Sequence, residues 1–435
     1  LNGGVDAILI ETAQDLLQAK SAVIGAKRAM KSLDIYVPII VSVTIETTGT
    51  MLLGSEIGAA LTALSALGID SIGLNCATGP TEMSEHLRYL SKYSNLPVTV
   101  MPNAGLPILG PHGAHYPLTP VELATAQLQF VNDYGAGLVG GCCGTTPAHI
   151  QAVAEAVAGK KPARPTLIVE PGLASLYQHQ PFDQTMTYLS IGERTNANGS
   201  KAFREAMLEE NWEECLEIAR SQTREGAHLL DVCVDYVGRD GVRDARELVS
   251  RLATATTLPL VLDSTEPAVL EAGLECMGGR AMINSVNYED GDGPTSRFAR
   301  IMPLVVEHGA AVVDAHVGIG FGNAAEAGSW VVGQRRALQA GGLWCDRIDH
   351  HIERFAQCAA VAHGADGHGH KAVGASLQAL RDIEAERAAV DGGGAQQLTC
   401  PVNLDKVRAR GAATQRGFDG ARGIHSHWLR SFGWS

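Results

Sequence analysis

Three cysteines lie at the ends of apolar runs in the first third of the chain. Cys76 ends the run SIGLNC, and Cys142 and Cys143 end AGLVGGCC. Three thiolates suit Zn²⁺ and leave its fourth position open for a substrate. Glycines on both sides of the pair let the backbone bend so that consecutive side chains reach one metal. A lone strand-end cysteine is commonly a small buried apolar residue. That interpretation stays open for Cys76 alone, whereas the pair together with Cys76 favours a metal site.

The first 158 residues alternate short apolar runs with helical patterns, which would bring the cysteines to one edge of a sheet. Nearly continuous apolar strands between helices indicate a parallel sheet covered on both faces. In a βα barrel the carboxyl ends of the strands converge on one face, where active sites lie. Five βα units are visible where a (βα)8 barrel needs eight, so we expect an incomplete barrel truncated at its N-terminus. The predicted strands are 5–11, 37–45, 71–76, 97–103 and 136–143.

A second alternating series follows a segment rich in proline and polar residues. Residues 159–186 are predicted to form a linker. Residues 187–313 then repeat the strand-helix alternation, through HLLDVCVDY, LPLVLDST and AMINSVNYEDG. The predicted fold class is α/β, with two (βα)8 TIM-type barrels, both incomplete. Residues 1–158 would be the C-terminal part of the first barrel, and 187–313 the N-terminal part of the second.

Residues 314–435 differ in composition and have no strand-helix rhythm. They hold eight of the 15 histidines and four of the five tryptophans. A composition change where further βα units are due suggests an atypical, irregular tail that is frameshifted or disordered, in place of an evolved domain. Its glycine cluster GIGFGN lacks the strand-turn-helix context of a dinucleotide site, and HGADGHGH favours no physiological metal site.

The composition limits the classes of partner. The 435-residue chain has 45% apolar and 19% charged residues and a net charge of −13. These values indicate a soluble globular protein and argue against a nucleic-acid partner. No apolar stretch has the length of a membrane span, and the N-terminus lacks a signal-peptide pattern. We therefore expect no membrane partner and a cytoplasmic location. The nine cysteines are expected to be free thiols, catalytic groups or metal ligands rather than disulfides.

GLNCATGP and GGCCGTTP, together with LIET and MPNAGLP, resemble the C-terminal part of the homocysteine-binding barrel of zinc-dependent homocysteine methyltransferases. The resemblance implies that Cys76, Cys142 and Cys143 are zinc ligands and that the homocysteine sulfur is the fourth. It also implies that Glu11 binds the amino group of homocysteine and that Asn103 contacts the substrate. Two local roles stay open: Glu11 as a partner of the following helix N-terminus, and Asn103 as a turn residue before Ala-Gly.

IGERTNANGSKAF, LDST and INSVNYEDG resemble the pterin-binding (folate) barrel of cobalamin-dependent methionine synthases. Both motif sets in this order, over roughly residues 1–313, indicate a fragment of that family. A pterin ring presents donors and acceptors that carboxylate and amide side chains can pair with. The resemblance implies four pterin contacts: Glu193, Asn196, Asp263 and Asn284. It also implies that Asp231 supports them. A capping or turn role stays open for each one singly. Trp212 and Cys215 are expected to be core residues of a helix.

The resemblance implies methyl transfer from 5-methyltetrahydrofolate through methylcobalamin to zinc-activated homocysteine, giving methionine and tetrahydrofolate. The cofactors would be Zn²⁺ and methylcobalamin, the small-molecule substrates homocysteine and folate, and the partner a cobalamin-binding module. The chain has no Asp-x-His-x-x-Gly cobalamin motif, and the family's later pterin contacts have no counterpart in it. We expect a truncated methyltransferase with impaired activity. The alternatives are a corrinoid-independent homocysteine S-methyltransferase and an inactive zinc-binding fragment.

Overall fold

The computed structural model describes residues 1–111, 113–185, 188–286 and 293–314. These residues include two five-stranded sheets, and both sheets belong to one compact unit. The predictions for the tail after residue 314, including GIGFGN and HGADGHGH, lie outside the described residues. Within the described ranges, no helix combines the length and the apolar character that a membrane crossing requires.

The first part of the chain folds into a parallel sheet flanked by helices. Its elements, in chain order, are β1 (Ile8–Ala13), α1 (Leu16–Leu33), β2 (Ile39–Val43), α2 (Ile57–Ser65), β3 (Ser71–Asn75), α3 (Pro80–Tyr93), β4 (Val98–Met101), β5 (Ile108–Gly110), β6 (Gly113–His115), α4 (Pro120–Tyr134), β7 (Ala136–Val139) and α5 (Pro147–Val157). The sheet has the order β1-β2-β3-β4-β7. All five residues of β3, its central strand, are buried, as the unbroken apolar run predicts for a strand covered on both faces.

The second part repeats this architecture. Its elements, in chain order, are β8 (Gly172–Ala174), β9 (His179–Pro181), β10 (Ile191–Gly192), α6 (Lys201–Leu208), α7 (Trp212–Arg224), β11 (Leu229–Val232), α8 (Gly241–Ala255), β12 (Leu260–Asp263), α9 (Pro267–Leu274), β13 (Met282–Val286), α10 (Arg297–His308) and β14 (Ala311–Asp314). The sheet order is β10-β11-β12-β13-β14, with every pairing parallel. The predicted α/β class with parallel sheets is confirmed.

The edge strands of the first sheet leave apolar side chains open to solvent. Leu9 of β1 is 42% exposed and Leu138 of β7 is 40% exposed. Each of these strands has one sheet neighbour within the described residues.

Two short hairpins depart from the predicted alternation. β5 pairs with β6 between β4 and α4. β8 pairs with β9 inside the segment 159–186, which the sequence predicts as a linker. Leu173 and Ala174 of β8 are fully buried, so this part of the segment packs like an element of a domain. Strands of three residues are too short for an alternating pattern to reveal them.

The segment FREAMLEENWEECLEIARSQTREG has helical spacing of its apolar residues throughout, which predicts one helix, but it forms two, α6 and α7. Glu210 has a left-handed backbone with a φ of 55°, which non-glycine residues adopt infrequently. The side chain of Asn211 then accepts a 3.3 Å hydrogen bond from the N–H of Glu214 and begins α7 as its N-cap. Trp212 and Cys215 are buried in the core of the second sheet, so their predicted packing role is confirmed.

A buried lysine joins the two sheets. Lys20 of α1 is 3% exposed, and its Nζ donates to the carbonyls of Leu274 (2.8 Å) and Met277 (2.9 Å) in and after α9. Close beside this contact, a Cβ on Gly278 would lie 2.5 Å from the backbone nitrogen of Leu17. Backbones can approach this closely only where one residue has no side chain. The C-terminal end of α9 therefore packs directly on α1.

Candidate functional site

The three cysteines predicted as metal ligands lie together at the carboxyl ends of β3 and β7. Their Sγ atoms all lie within 4.8 Å of one another. The Sγ of Cys143 lies 3.6 Å from that of Cys76 and 4.0 Å from that of Cys142. Sulfurs at the usual Zn–S length in a tetrahedral site are about 3.8 Å apart. The arrangement therefore fits one Zn²⁺ with three protein sulfurs.

Hydrogen bonds from the segment after β4 hold the loop that carries the cysteine pair. The N–H of Cys142 donates to the carbonyl of Pro102 at 2.8 Å, and the carbonyl of Cys143 accepts from the N–H of Ala104 at 2.9 Å. The N–H of Cys143 donates to Oδ1 of Asn103 at 3.0 Å. Because β4 and β7 are neighbours in the sheet, their following loops support each other at this edge.

Cys76 reaches the pair through an unusual turn. It follows β3 with a φ of 62°, and Ala77 has a φ of 57°. Its N–H donates to the carbonyl of Met101 at 3.2 Å, and its carbonyl accepts from the N–H of Thr78 at 2.7 Å. Two consecutive left-handed non-glycine residues are uncommon and often mark functional sites.

Gly144 and Tyr116 pack against each other next to the thiols. Gly144 has a φ of 79°, and a Cβ there would lie 2.2 Å from the ring of Tyr116. Burial, followed by the charge of Cys143 and a side-chain hydrogen bond to it, raises the pKa of the Tyr116 hydroxyl. Tyr116 could not be predicted from the sequence, because this residue follows the unpredicted hairpin β5–β6 and lies far in sequence from any cysteine motif.

Burial has a strong effect on the protonation of Cys76 in this cluster. Burial and the neighbouring thiols of Cys143 and Cys142 raise the pKa of Cys76 to about 12, while the N–H of Ala77 opposes this rise. Cys76 therefore keeps its proton at neutral pH when no cation is near. A Zn²⁺ ion reverses this balance, because thiol ligands give up their protons on coordination.

The two predicted homocysteine contacts lie on the same side of one sheet, near the carboxyl ends of two strands, β1 and β4, that are not adjacent. Glu11 is exposed near the carboxyl end of β1. Asn103 is 3% exposed and uses Oδ1 to accept from the N–H of Cys143. The capping role left open for Glu11 falls to Asp15, whose side chain accepts from the N–H of Gln18 at the start of α1.

Asn75 is a site residue that the sequence analysis did not single out. It is the last residue of β3 and 1% exposed. Its Nδ2 lies 2.8 Å from Oγ1 of Thr12 and 3.8 Å from Sγ of Cys142, and its Oδ1 accepts from the N–H of Thr12 at 2.9 Å. The one feature of the sequence that could have indicated Asn75 was its position next to Cys76 at the end of a buried strand.

A second polar cluster lies at the carboxyl ends of the second sheet. Nδ2 of Asn196 donates to Oδ2 of Asp231 at 2.8 Å and to Oδ2 of Asp263 at 3.0 Å. Asn284 of β13 lies beside Asp263 of β12 in the strand register. The carbonyl of Glu193 accepts from the N–H of Asn196 at 3.2 Å. All five predicted pterin-side residues therefore lie at this edge, and three of them share side-chain hydrogen bonds.

Asp231 is the most perturbed member of this cluster. It is 6% exposed, and its Oδ1 has no hydrogen-bond partner among the described residues. Burial raises the pKa of Asp231 to about 7, and the charges of Asp263 and Glu193 add to this rise. The hydrogen bond from Asn196 acts in the opposite direction and lowers the pKa. Burial also raises the pKa of Asp263. The cluster can thus hold a proton near neutral pH.

Asp235 and Ser264 extend this edge and were not predicted. Oγ of Ser264 donates to Oδ2 of Asp235 at 2.8 Å, and the N–H of Thr265 donates to the same oxygen at 3.3 Å. These bonds tie the loop after β11 to the loop after β12. Both residues stand inside the quoted motifs HLLDVCVDY and LPLVLDST, so their position after a strand was the available signal.

Each sheet lies in a segment that is similar to a known protein family. Residues 1–157 match the family model described as homocysteine S-methyltransferase, and residues 192–339 match the one described as pterin binding enzyme. A methionine synthase of Mycobacterium tuberculosis (strain ATCC 25618 / H37Rv) is 66% identical over 313 residues. Over these residues this chain is similar to methionine synthase. A methionine synthase of Mycobacterium leprae (strain TN) is 64% identical over 318 residues.

The matches confirm the methyltransferase and pterin-binding segments that the motifs indicate. They cover 72% of this chain and 26% of each methionine synthase, so the chain spans about a quarter of the length of these curated relatives. Among solved structures, the carboxyl transferase domain from Rhizobium etli pyruvate carboxylase with pyruvate is 16% identical over 70% of this chain and 44% of that chain, with a TM-score of 0.19. That likeness is too slight to bear on fold or function.

Proposed function

We propose that this chain supplies the homocysteine site and the first part of the folate site for methyl transfer from 5-methyltetrahydrofolate, through cobalamin, to homocysteine. The products are methionine and tetrahydrofolate. One observation carries the proposal: three Sγ atoms at zinc spacing lie at strand ends of a segment that matches homocysteine S-methyltransferases.

In the proposed site Cys76, Cys142 and Cys143 hold Zn²⁺, and the sulfur of homocysteine takes the fourth place. When bound, Zn²⁺ lowers the pKa of the coordinated thiol, so that a thiolate nucleophile exists at neutral pH. Glu11, exposed at the end of β1, binds the substrate ammonium group. Asn103 fixes the backbone of Cys143 and so keeps two adjacent sulfurs aimed at one point.

The folate side uses the polar edge of the second sheet. Asn196, Asp263 and Asn284 pair with the donors and acceptors of the pterin ring, and Glu193 borders them. Asp231 accepts a hydrogen bond from Nδ2 of Asn196 and so holds it in place, and its pKa of about 7 lets it take up or release a proton near neutral pH. That proton is available to the hydrogen-bond network as the pterin loses its methyl group.

The two sheets are parts of two (βα)8 barrels in this proposal, with the boundaries 1–158 and 187–313. The solvent-exposed Leu9 and Leu138 on the edge strands support it, since barrel closure buries such side chains. The methyl carrier, cobalamin, would be held by a separate module that is the proposed protein partner. No described residue of this chain is assigned to it.

Zinc stoichiometry tests the proposal. The purified 435-residue chain is expected to hold about one tightly bound Zn²⁺, because three thiolates and one substrate position complete a tetrahedral site. Cys142→Ser is expected to lose the metal, and Cys276→Ser, a control outside the cluster, to keep it. A soluble wild-type chain without zinc would support the inert fragment instead. Equal zinc in both variants would contradict the ligand assignment.

A further inference from the structure

We propose that Asn75 is a positioning residue that sets the place of the substrate-binding carboxylate Glu11 relative to the thiolate of Cys142. The inference rests on the proposed function, because it gives Glu11 and Cys142 their roles. It adds a residue that lies outside the metal ligands and outside the motif positions assigned to the substrate. Its basis is a single buried carboxamide that contacts both halves of the site.

Both the nitrogen and the oxygen of the Asn75 amide have hydrogen-bond partners at the site. Nδ2 has two hydrogens, and its two partners are Oγ1 of Thr12 at 2.8 Å and Sγ of Cys142 at 3.8 Å. Oδ1 accepts from the N–H of Thr12 at 2.9 Å. Asn75 ends β3, the middle strand in the order β1-β2-β3-β4-β7. Its amide therefore links the two edge strands of the sheet at their carboxyl ends.

Thr12 is the residue that this amide holds in an unfavourable conformation. It has a φ of 55°, which is rare for a β-branched residue. The register of β1 against β2 shifts between Ile10 and Ala13, so Glu11 and Thr12 form a bulge. Bulges redirect side chains, and they persist only where surrounding contacts hold them. Asn75 supplies two such contacts, one to the backbone and one to the side chain of Thr12.

The direction of the Glu11 side chain follows from this bulge. A regular strand would place Glu11 by simple alternation, whereas the bulge turns the segment at its last residues. Loss of the Asn75 amide would let Thr12 relax toward a regular backbone and would move Glu11. The hydrogen bond to Cys142 fixes the other end of the amide, since ligand orientation depends on such supporting contacts.

Thiol binding to the cobalt-loaded chain separates this role from simple stabilisation. Co²⁺ in the three-cysteine site gives thiolate-to-metal charge-transfer bands, which change when a further thiol binds. Homocysteine and 4-mercaptobutyrate, which lacks the amino group, are titrated against these bands. The ratio of their affinities measures the contribution of the carboxylate that binds the amine.

Three variants address the two ends of the amide. Asn75→Ala removes every contact, and Asn75→Asp keeps the shape and an acceptor for the N–H of Thr12 but loses the donor. Thr12→Gly removes Oγ1 and accepts a positive φ without strain. Gln222→Ala is the matched control, because Gln222 is a buried amide (3% exposed) that bonds to Arg194 and Thr195 beside the second sheet.

The expected result is a fall of at least about threefold in the preference for homocysteine over 4-mercaptobutyrate in each folded variant of Asn75 or Thr12. The cobalt bands of the Asn75 variants should also shift to longer wavelength, since a thiolate that loses an N–H donor gives up electrons more readily. The control should change neither value. An unchanged preference and unchanged bands in Asn75→Asp would overturn the inference about Asn75 but not the proposed function. A wild-type chain without thiolate–cobalt bands would overturn the proposed function and this inference with it.

Discussion

Asp231 illustrates how burial sets the chemistry of a single residue. One of its oxygens bonds to Asn196 at 2.8 Å, and the other has no partner among the described residues. An ionised carboxylate in such surroundings is costly, so the folded protein favours the protonated form. The pKa of Asp231 rises from 3.8 to about 7 for this reason.

This pKa predicts a pH dependence of stability. Between about pH 4 and pH 7 the folded protein keeps a proton that the unfolded chain releases, so the contribution of Asp231 to stability falls as the pH rises. Asp231→Asn should therefore raise the free energy of unfolding by about 1 to 3 kcal/mol at pH 7.5 and change it little at pH 4. Chemical denaturation at both pH values measures this. An equal effect at the two pH values would exclude the raised pKa.

The residues of the metal site divide into those that the sequence could predict and those that it could not. Cys76, Cys142 and Cys143 were predictable, because carboxyl ends of parallel strands converge on one edge. Asn75 and Thr12 were not, because their pairing depends on a bulge and a left-handed backbone that no periodic pattern encodes. Tyr116 depends on a hairpin whose strands have three residues each.

Among the elements, the loop after β7 is where backbone shape sets the geometry of the cysteine cluster. It must present two consecutive side chains to one point, and it does so with hydrogen bonds to the segment after β4. Gly144 ends the cysteine pair with a φ of 79° and leaves no room for a Cβ beside Tyr116. The loop and the hairpin β5–β6 are thus fitted to each other.

Gly144→Ala should therefore weaken zinc binding and also destabilise the fold. A Cβ would meet the ring of Tyr116 and would also strain a left-handed backbone. We expect zinc affinity to fall by about tenfold or more and the free energy of unfolding by about 1 to 2 kcal/mol. Competition with a chromogenic chelator measures the affinity. Gly159→Ala is the control, with a similar φ of 70° and open space around it, and zinc binding that matched the wild type in Gly144→Ala would refute the prediction.

The elements themselves were predictable in kind and less so in extent. Each predicted strand of the first sheet contains or overlaps an observed strand, since apolar β-branched runs between helices have few other solutions. The break between α6 and α7 was not predictable from spacing, because Glu210 and Asn211 interrupt a pattern that is helical on both sides. Local capping overrides periodicity there.

At the scale of the molecule, the contact between α1 and α9 makes the two sheets depend on each other. Burial lowers the pKa of Lys20 to about 8, and its two carbonyl partners at the end of α9 offset this cost with charge-assisted hydrogen bonds. Both sheets should therefore unfold together in the intact protein.

Lys20→Ala should weaken this coupling. It leaves the carbonyls of Leu274 and Met277 without their buried donor, so we expect a loss of about 2 to 4 kcal/mol and two separate thermal transitions in calorimetry. Lys31→Ala, an exposed position on the same helix, should leave a single transition at an unchanged temperature. A single unshifted transition in Lys20→Ala would show that the sheets are coupled by other contacts.

We propose that Cys76, Cys142 and Cys143 hold a zinc ion whose fourth ligand is the sulfur of homocysteine. X-ray absorption at the zinc edge tests it on the intact zinc-loaded chain, with and without homocysteine. We expect the zinc ion to have three sulfur neighbours at about 2.3 Å in the free protein and four after homocysteine is added. A zinc environment without sulfur, or a sulfur count that homocysteine does not change, would contradict it.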